Sequence, residues 1–155
     1  MKFCARIVRH QYADRIFDGT GASMYGGRWN EIGIPMVYFA DSIALAAVEV
    51  LVHIQNVHTP IQHVCAGVRV PDRHLEVLPL NELPANWQSA HGMVDTARIG
   101  SAWVRAATSL ALLVPSVIIP RERVVLINPK HRKAQDVVLD FVEPFSFDRR
   151  FSTGL

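Results

Sequence analysis

The residues best suited to chemistry lie in one stretch, from Tyr25 to Val52: YGGRWNEIGIPMVYFADSIALAAVEVLV. Arg28 follows directly on Gly26 and Gly27. Without Cβ atoms, those glycines can take positive φ and let a ligand approach the backbone. A guanidinium beside such a turn suits a phosphate or carboxylate, which it can grip through two parallel hydrogen bonds. Tyr25 is most simply a packing residue in that turn, and an aromatic ring so near Arg28 could also face a ligand. Glu49 is the one residue between Ile43 and Val52 that is not Ile, Ala, Leu or Val. An ionised carboxylate among such neighbours is costly unless it is paired or reaches a water-filled site. Two readings stand. Glu49 is a structural carboxylate that pairs with an arginine or caps a loop, or it is a catalytic carboxylate at the floor of a cleft.

The elements that position these residues follow from periodicity. Met36 to Ala40 reads as a buried strand with Tyr38 at its centre. Asp41 or Ser42 can cap the helix that follows. That helix is apolar on nearly all faces and is expected in the core. A strand over Cys4–Val8 precedes a polar, glycine-bearing loop over Ala13–Gly21. Residues 61–70 and Leu75–Leu78 read as strands, and Trp87 as a packing anchor in a proline-punctuated loop. Asp95 or Thr96 can cap a second helix running to about Ser109, with Ile99, Trp103 and Ala107 on its buried stripe. Ser116 falls in a bent apolar strand beside Pro115, where its hydroxyl needs a partner. Val124–Ile127 and Val137–Val142 complete the strands. Strands, two main helices and strands again make an α+β domain with largely antiparallel sheet.

Composition narrows the function classes. The chain has 155 residues, 50% hydrophobic and 19% charged, enough for one domain with a core and no sign of disorder. A formal net charge of +2 gives no electrostatic argument for nucleic acid. Cys4 and Cys65 stand far apart without a motif, as expected of free thiols in a reducing compartment. No leader-like apolar segment or membrane-length run is present, so a cytoplasmic protein that makes no membrane contact is expected. His53, His58 and His63 are spaced by five, which does not place them on one helical face, so no metal site is expected. Phe17-Asp18-Gly19-Thr20-Gly21 fails as a dinucleotide fingerprint: Met24 stands where the third glycine belongs, and no helix pattern follows. A Walker-type phosphate loop is absent as well. Gly-x-Ser-x-Gly does not surround Ser116, so a hydrolase elbow is not read there.

The run YGGRWN, the strand VYFA and the helix opening DSIALAAVEVLVH resemble the RES domain family, named for its Arg, Glu and Ser. LLVPSVIIPRERVVLINPKH and PFSFDRRF fit it in the expected order, so the resemblance runs from about Arg9 to Phe151. It implies a single RES-like domain over residues 1–155. The fold would be α+β, mostly antiparallel sheets with a few helices, like an ADP-ribosyltransferase: a pair of packed sheets with an NAD cleft between them. It further implies the toxin of a bacterial type II toxin–antitoxin pair. Such a toxin would cleave the nicotinamide–ribose bond of NAD+, a substrate and not a cofactor. The partner would be an Xre-like antitoxin with a helix-turn-helix domain, and direct nucleic-acid binding is not expected of the toxin. Arg28, Tyr38 and Glu49 carry over as catalytic residues. Arg28, Tyr38 and Ser116 carry over as contacts to the substrate. The acceptor (water, inorganic phosphate or a protein side chain) stays open, as does a homo-oligomer. The competing reading is a non-enzymatic interaction module in which Arg28 and Glu49 form a buried pair.

Overall fold

Period-two alternation sends successive side chains of each strand to opposite faces of a sheet. The computed structural model, which describes residues 1–54 and 61–152, joins seven strands into one mixed sheet. They are β1 (Lys2–Arg9), β2 (Val37–Ala40), β3 (His63–Val70), β4 (Leu75–Val77), β5 (Ala111–Pro115), β6 (Arg123–Ile127) and β7 (Val138–Phe145). Their order is β4-β5-β6-β2-β1-β3-β7, and only β4–β5 is parallel. The fold is therefore α+β and largely antiparallel, as the sequence indicates.

The expected pair of packed sheets is instead one sheet with a split in it. β1 runs in full register along β3 from Lys2 to Arg9, and β2 along β6 from Val37 to Ala40. Between β1 and β2 the register holds at Ala5 and Ala40 alone. Past that pair the two halves diverge around Ile7, Val8 and Arg9 on one side and Tyr38 on the other, and the space between them is a cavity.

Apolar clusters cover both faces. Cys4, Val37, Phe39, Val68, Val125 and Ile127 pack with Ile16 on one side. On the other, Ala5, Ile7, Ala40 and Cys65 meet Leu45 and Ala46, while Met36, Leu112, Val114 and Leu126 meet Trp29 and Trp103. Both cysteines are free and buried, and burial pushes the Cys4 thiol up to about 12, which leaves it inert.

Among the described residues three α-helices accompany the sheet: α1 (Thr20–Tyr25), α2 (Ile43–Leu51) and α3 (Met93–Ala106). α1 occupies the stretch in which no helix was expected. α2 starts as anticipated, with the Ser42 hydroxyl accepting the Leu45 N–H at 3.0 Å. It is not buried all round, however. Leu45 and Ala46 face the sheet, while Ile43 and Ala44 are exposed. A helix lying on one face of a sheet presents only one side to it, whatever its composition. α3 begins two residues before its expected cap, and no side chain caps it. Ala107 lies beyond its end in the left-handed region, outside the buried stripe. Of the expected stripe, Trp103 is buried and Ile99 packs against its cluster, with Thr96, Ala97, Gly100 and Ser101 buried beside them.

β5 stops at Pro115, so Ser116 sits in a turn and not in a strand. Its Oγ accepts the N–H groups of Ile118 and Ile119, each at 3.1 Å, which winds the chain away from the ladder. Trp87 packs against the Trp29 cluster. His58 and the polar Gln55–Thr59 segment lie outside the described residues. Among the described residues no cluster of His, Cys, Asp or Glu could hold a metal ion, and no helix is long and apolar enough to cross a membrane.

Candidate active site

The Gly26–Glu31 turn is fixed from within and from below. Gly26 has φ +70°, a conformation suited to glycine, and its N–H closes α1 on the Ala22 carbonyl at 2.8 Å. Asn30, 1% exposed, staples the turn. Its Nδ2 donates to the carbonyls of Ala22, Glu31 and Ile34 at 2.8, 3.2 and 3.0 Å. Those acceptors fix the amide's orientation, so Oδ1 faces the Tyr38 hydroxyl, which donates to it at 2.6 Å. Gly27 is needed for this contact: a Cβ there would lie 2.7 Å from the Tyr38 hydroxyl oxygen and 2.8 Å from Asn30 Oδ1.

From below, α3 carries the turn on small side chains. Gly100 lets the Trp29 carbonyl approach so closely that an added Cβ would sit 1.9 Å from its oxygen. Thr96 Oγ1 donates to the Arg28 carbonyl at 2.7 Å, and Ser101 Oγ accepts the Glu31 N–H at 2.9 Å. Thr96 and Gly100 stand four residues apart, on one helical face. That spacing was the available sign that a backbone, not a side chain, would pack there.

The Arg28 side chain lines the cavity, and its Nη1 donates to the carbonyls of Trp87 at 2.8 Å and Ser89 at 3.3 Å. The loop before α3 thus orients the guanidinium. Tyr38 lines the same cavity, and its hydroxyl also accepts the Trp29 N–H at 3.1 Å. Burial pushes its phenol above the ordinary value, against smaller opposing effects of the Trp29 N–H and Arg28. The hydroxyl stays protonated and spends its proton on Asn30, so the ring is what Tyr38 offers to a ligand.

Glu49 reaches the cavity from α2. Its Oε1 accepts the Ser116 hydroxyl at 2.8 Å. Two backbone N–H groups occupy that hydroxyl's lone pairs, which points its proton at the carboxylate. Among the described residues no ion pair joins Arg28 to Glu49, and each has separate partners. The buried-pair reading of these residues therefore does not describe this structure.

The cavity encloses about 1030 Å³ in the split between β1 and β2. It brings together Arg28, Tyr38 and Glu49. Ser116 is 0% exposed and sits behind Glu49, outside the lining. Tyr25 is 78% exposed and lines no part of it, so it neither packs in the turn nor faces the cavity. Sequence reasoning gave no role to Arg6 or Arg9 and weighed His53 and His63 only as metal ligands; all four also line the cavity. Two signals existed: arginines interrupting an apolar strand, and His53 one helical turn beyond Glu49. Burial holds the His63 imidazole below its ordinary value, and its ring meets the Phe147 ring edge-on at 5.5 Å.

A profile of the RES domain matches residues 3–149. The chain belongs to the RES domain family. Relatives within it share much of the chain. "Toxin Res" of Yersinia enterocolitica is 39% identical over 142 residues, covering 92% of this chain and 93% of that protein. "Toxin Res" of Photorhabdus laumondii is 38% identical over 124 residues, 80% of each. The "Prs ADP-ribosylating toxin" of a Sphingobium species is 38% identical over 135 residues, 85% of this chain and 84% of that protein. The fold is also similar to a chain of the M. tuberculosis MbcT–MbcA toxin–antitoxin complex. That match has a TM-score of 0.77 at 20% identity and covers 94% of this chain and 84% of the other.

Proposed function

We propose that this RES protein is the toxin of a type II toxin–antitoxin pair and consumes NAD+ by cleaving its nicotinamide–ribose bond. One observation carries the reading: a carboxylate, Glu49, faces a nucleotide-sized cavity with one oxygen held by Ser116 and no cation paired to it among the described residues. Cleavage breaks the bond between ribose C1′ and the pyridine nitrogen. Nicotinamide leaves with the electron pair as a neutral molecule, so no general acid is needed. Positive charge develops on the ribose, an oxocarbenium-like state. A carboxylate aligned beforehand stabilises that charge or holds a ribose hydroxyl. Tyr38 offers its ring to nicotinamide, and Arg28 faces phosphate. Water or inorganic phosphate then attacks C1′, water losing its proton to solvent, and net NAD+ degradation in the cytoplasm arrests growth. An Xre-like helix-turn-helix antitoxin is the expected partner.

Transfer of ADP-ribose to a protein is the second reading, favoured by the name of the Sphingobium relative. Mass spectrometry of the products separates the two. The first reading expects free nicotinamide with ADP-ribose or its 1-phosphate. Label found on protein, with no small-molecule product beyond nicotinamide, establishes the second.

Ser116 positions Glu49 in this account without touching substrate. Ser116→Ala is expected to lower kcat by up to about a hundredfold through misplacement of the carboxylate, leaving KM nearly unchanged. A rise in KM at constant kcat would make Ser116 a substrate contact instead. Tyr38→Phe keeps the ring and loses the hydroxyl's two hydrogen bonds. It should cost about 1–3 kcal/mol of stability, since Asn30 Oδ1 and the Trp29 N–H lose their partner, and should retain most activity at a permissive temperature. Inactivity of a fully folded Tyr38→Phe protein would assign the hydroxyl a role in the reaction.

A further inference from the structure

We infer that His63 selects the adenine of NAD+, accepting a hydrogen bond from its 6-amino group at the open end of the split between β1 and β2. The inference rests on the NAD+ reading of the cavity and assigns its base specificity to one residue. Ala5 and Ala40 close one end of the split. Glu49 belongs to that end. Its partner Ser116 follows Pro115, where the β5–β6 ladder pairs Val114 with Val124, itself the partner of Ala40. His63 belongs to the other end, opposite Arg9. Four steps of about 3.3 Å along β1 separate Arg9 from Ala5, roughly 13 Å in all. With the reacting ribose at Glu49, the open end is left for the other half of the dinucleotide.

The residues at that end suit a base. Val8, Val52, Ile54 and Ile61 supply apolar walls, against which a flat ring system buries its faces. His63 is 8% exposed and lines the same space. The Phe147 ring meets its ring edge-on at 5.5 Å, and the Phe145 ring meets that of Phe147 at 5.1 Å. Neither phenylalanine lines the cavity, so the imidazole is held from the side away from it. One ring nitrogen donates to the Ile61 backbone. Burial, helped by the Arg9 charge, favours the neutral ring against that contact. A neutral imidazole has one donor and one acceptor nitrogen. With the donor committed, the second nitrogen presents a lone pair. Among the described residues no fully buried side-chain nitrogen is left without a partner. The second nitrogen has none in the protein, so it opens on the cavity. A lone pair there takes a hydrogen bond from an amino group and repels a carbonyl oxygen. Adenine carries the amino group at C6, and hypoxanthine carries an oxygen in its place. Arg9 has donors only and offers no such acceptor.

The test is nicotinamide release from NAD+ and from nicotinamide hypoxanthine dinucleotide, read as kcat and KM, with melting curves of each protein. The proteins are the wild type, His63→Phe, His63→Gln and His91→Phe. Phe keeps a ring against Phe147 and has no lone pair, whereas the Gln amide can turn to offer either a donor or an acceptor. His91 is exposed outside the cavity and serves as the control. We expect the wild type to prefer NAD+ by about tenfold to a hundredfold in kcat/KM. The preference should lie in KM, since the base is remote from the breaking bond. It should largely vanish in His63→Phe and His63→Gln and persist in His91→Phe. Equal use of the two dinucleotides by the wild type overturns the assignment without any variant. A preference that survives in a folded His63 variant also overturns it, as does a lower kcat for both dinucleotides at unchanged preference, which makes His63 structural. In these cases NAD+ is still consumed, and the His63 assignment alone fails. A folded wild type that releases nicotinamide from neither dinucleotide overturns the NAD+ reading, and this assignment with it.

Discussion

Glu49→Gln is expected to reduce NAD+ consumption on the order of a hundredfold or more, the usual cost of removing one preorganised electrostatic group. The substitution is nearly isosteric. Its amide oxygen can still accept the Ser116 hydroxyl that now bonds Glu49 Oε1. The fold should therefore survive. Removing a charge from a half-buried site relieves a desolvation cost, so the variant should melt at or above the wild-type temperature. This separates a catalytic carboxylate from a structural one. A structural Glu49 predicts a lower Tm and unchanged activity per folded molecule. Thermal melts alongside NAD+ loss decide between them.

Gly100→Ala should be the most damaging small change outside the cavity. The new Cβ would lie 1.9 Å from the Trp29 carbonyl oxygen and 2.9 Å from its carbon, both backbone atoms that cannot rotate away. Either α3 or the Gly26–Glu31 turn must move. Overpacking of this kind costs about 1–3 kcal/mol and occasionally more, which for a chain of this size lowers Tm by roughly 2–4 °C per kcal/mol. The same displacement shifts Arg28, whose carbonyl is held by Thr96, and Tyr38, whose hydroxyl is held by Asn30 and Trp29. NAD+ turnover should fall even below the melting transition. Gly21→Ala is the control, since a Cβ there meets nothing within 4 Å. Equal behaviour of the two variants would refute the packing argument.

The site was legible where its chemistry departs from its surroundings. Glu49 stands out as a lone carboxylate in an apolar helix, and Arg28 as a cation after paired glycines. The cap at Ser42 and the central placement of Tyr38 follow from local rules. The partners were less legible. Ser116 is 67 residues from Glu49, and no spacing rule spans that distance. Asn30 lies eight residues from Tyr38, near enough in sequence, yet its amide reads like any loop asparagine until a phenol needs an acceptor. α2 was expected deep in the core because composition reports hydrophobicity without direction, and a helix on a sheet buries only one side. The expected stripe on α3, Ile99, Trp103 and Ala107, followed helical spacing, which does not show that the turn demands the small residues Thr96, Gly100 and Ser101 beside it. The split between β1 and β2 depends on registers set by β3 and β6, which short-range patterning does not encode.

The most direct test of the central claim is NAD+ concentration over time with purified protein, with and without inorganic phosphate, beside Glu49→Ala. The account predicts that the wild type consumes NAD+ and that Glu49→Ala does not, at equal folded concentration. A phosphate requirement would name the acceptor. NAD+ that neither binds nor disappears with folded wild-type protein under every condition would contradict the account, and Arg28, Tyr38 and Glu49 would no longer be read as an active site.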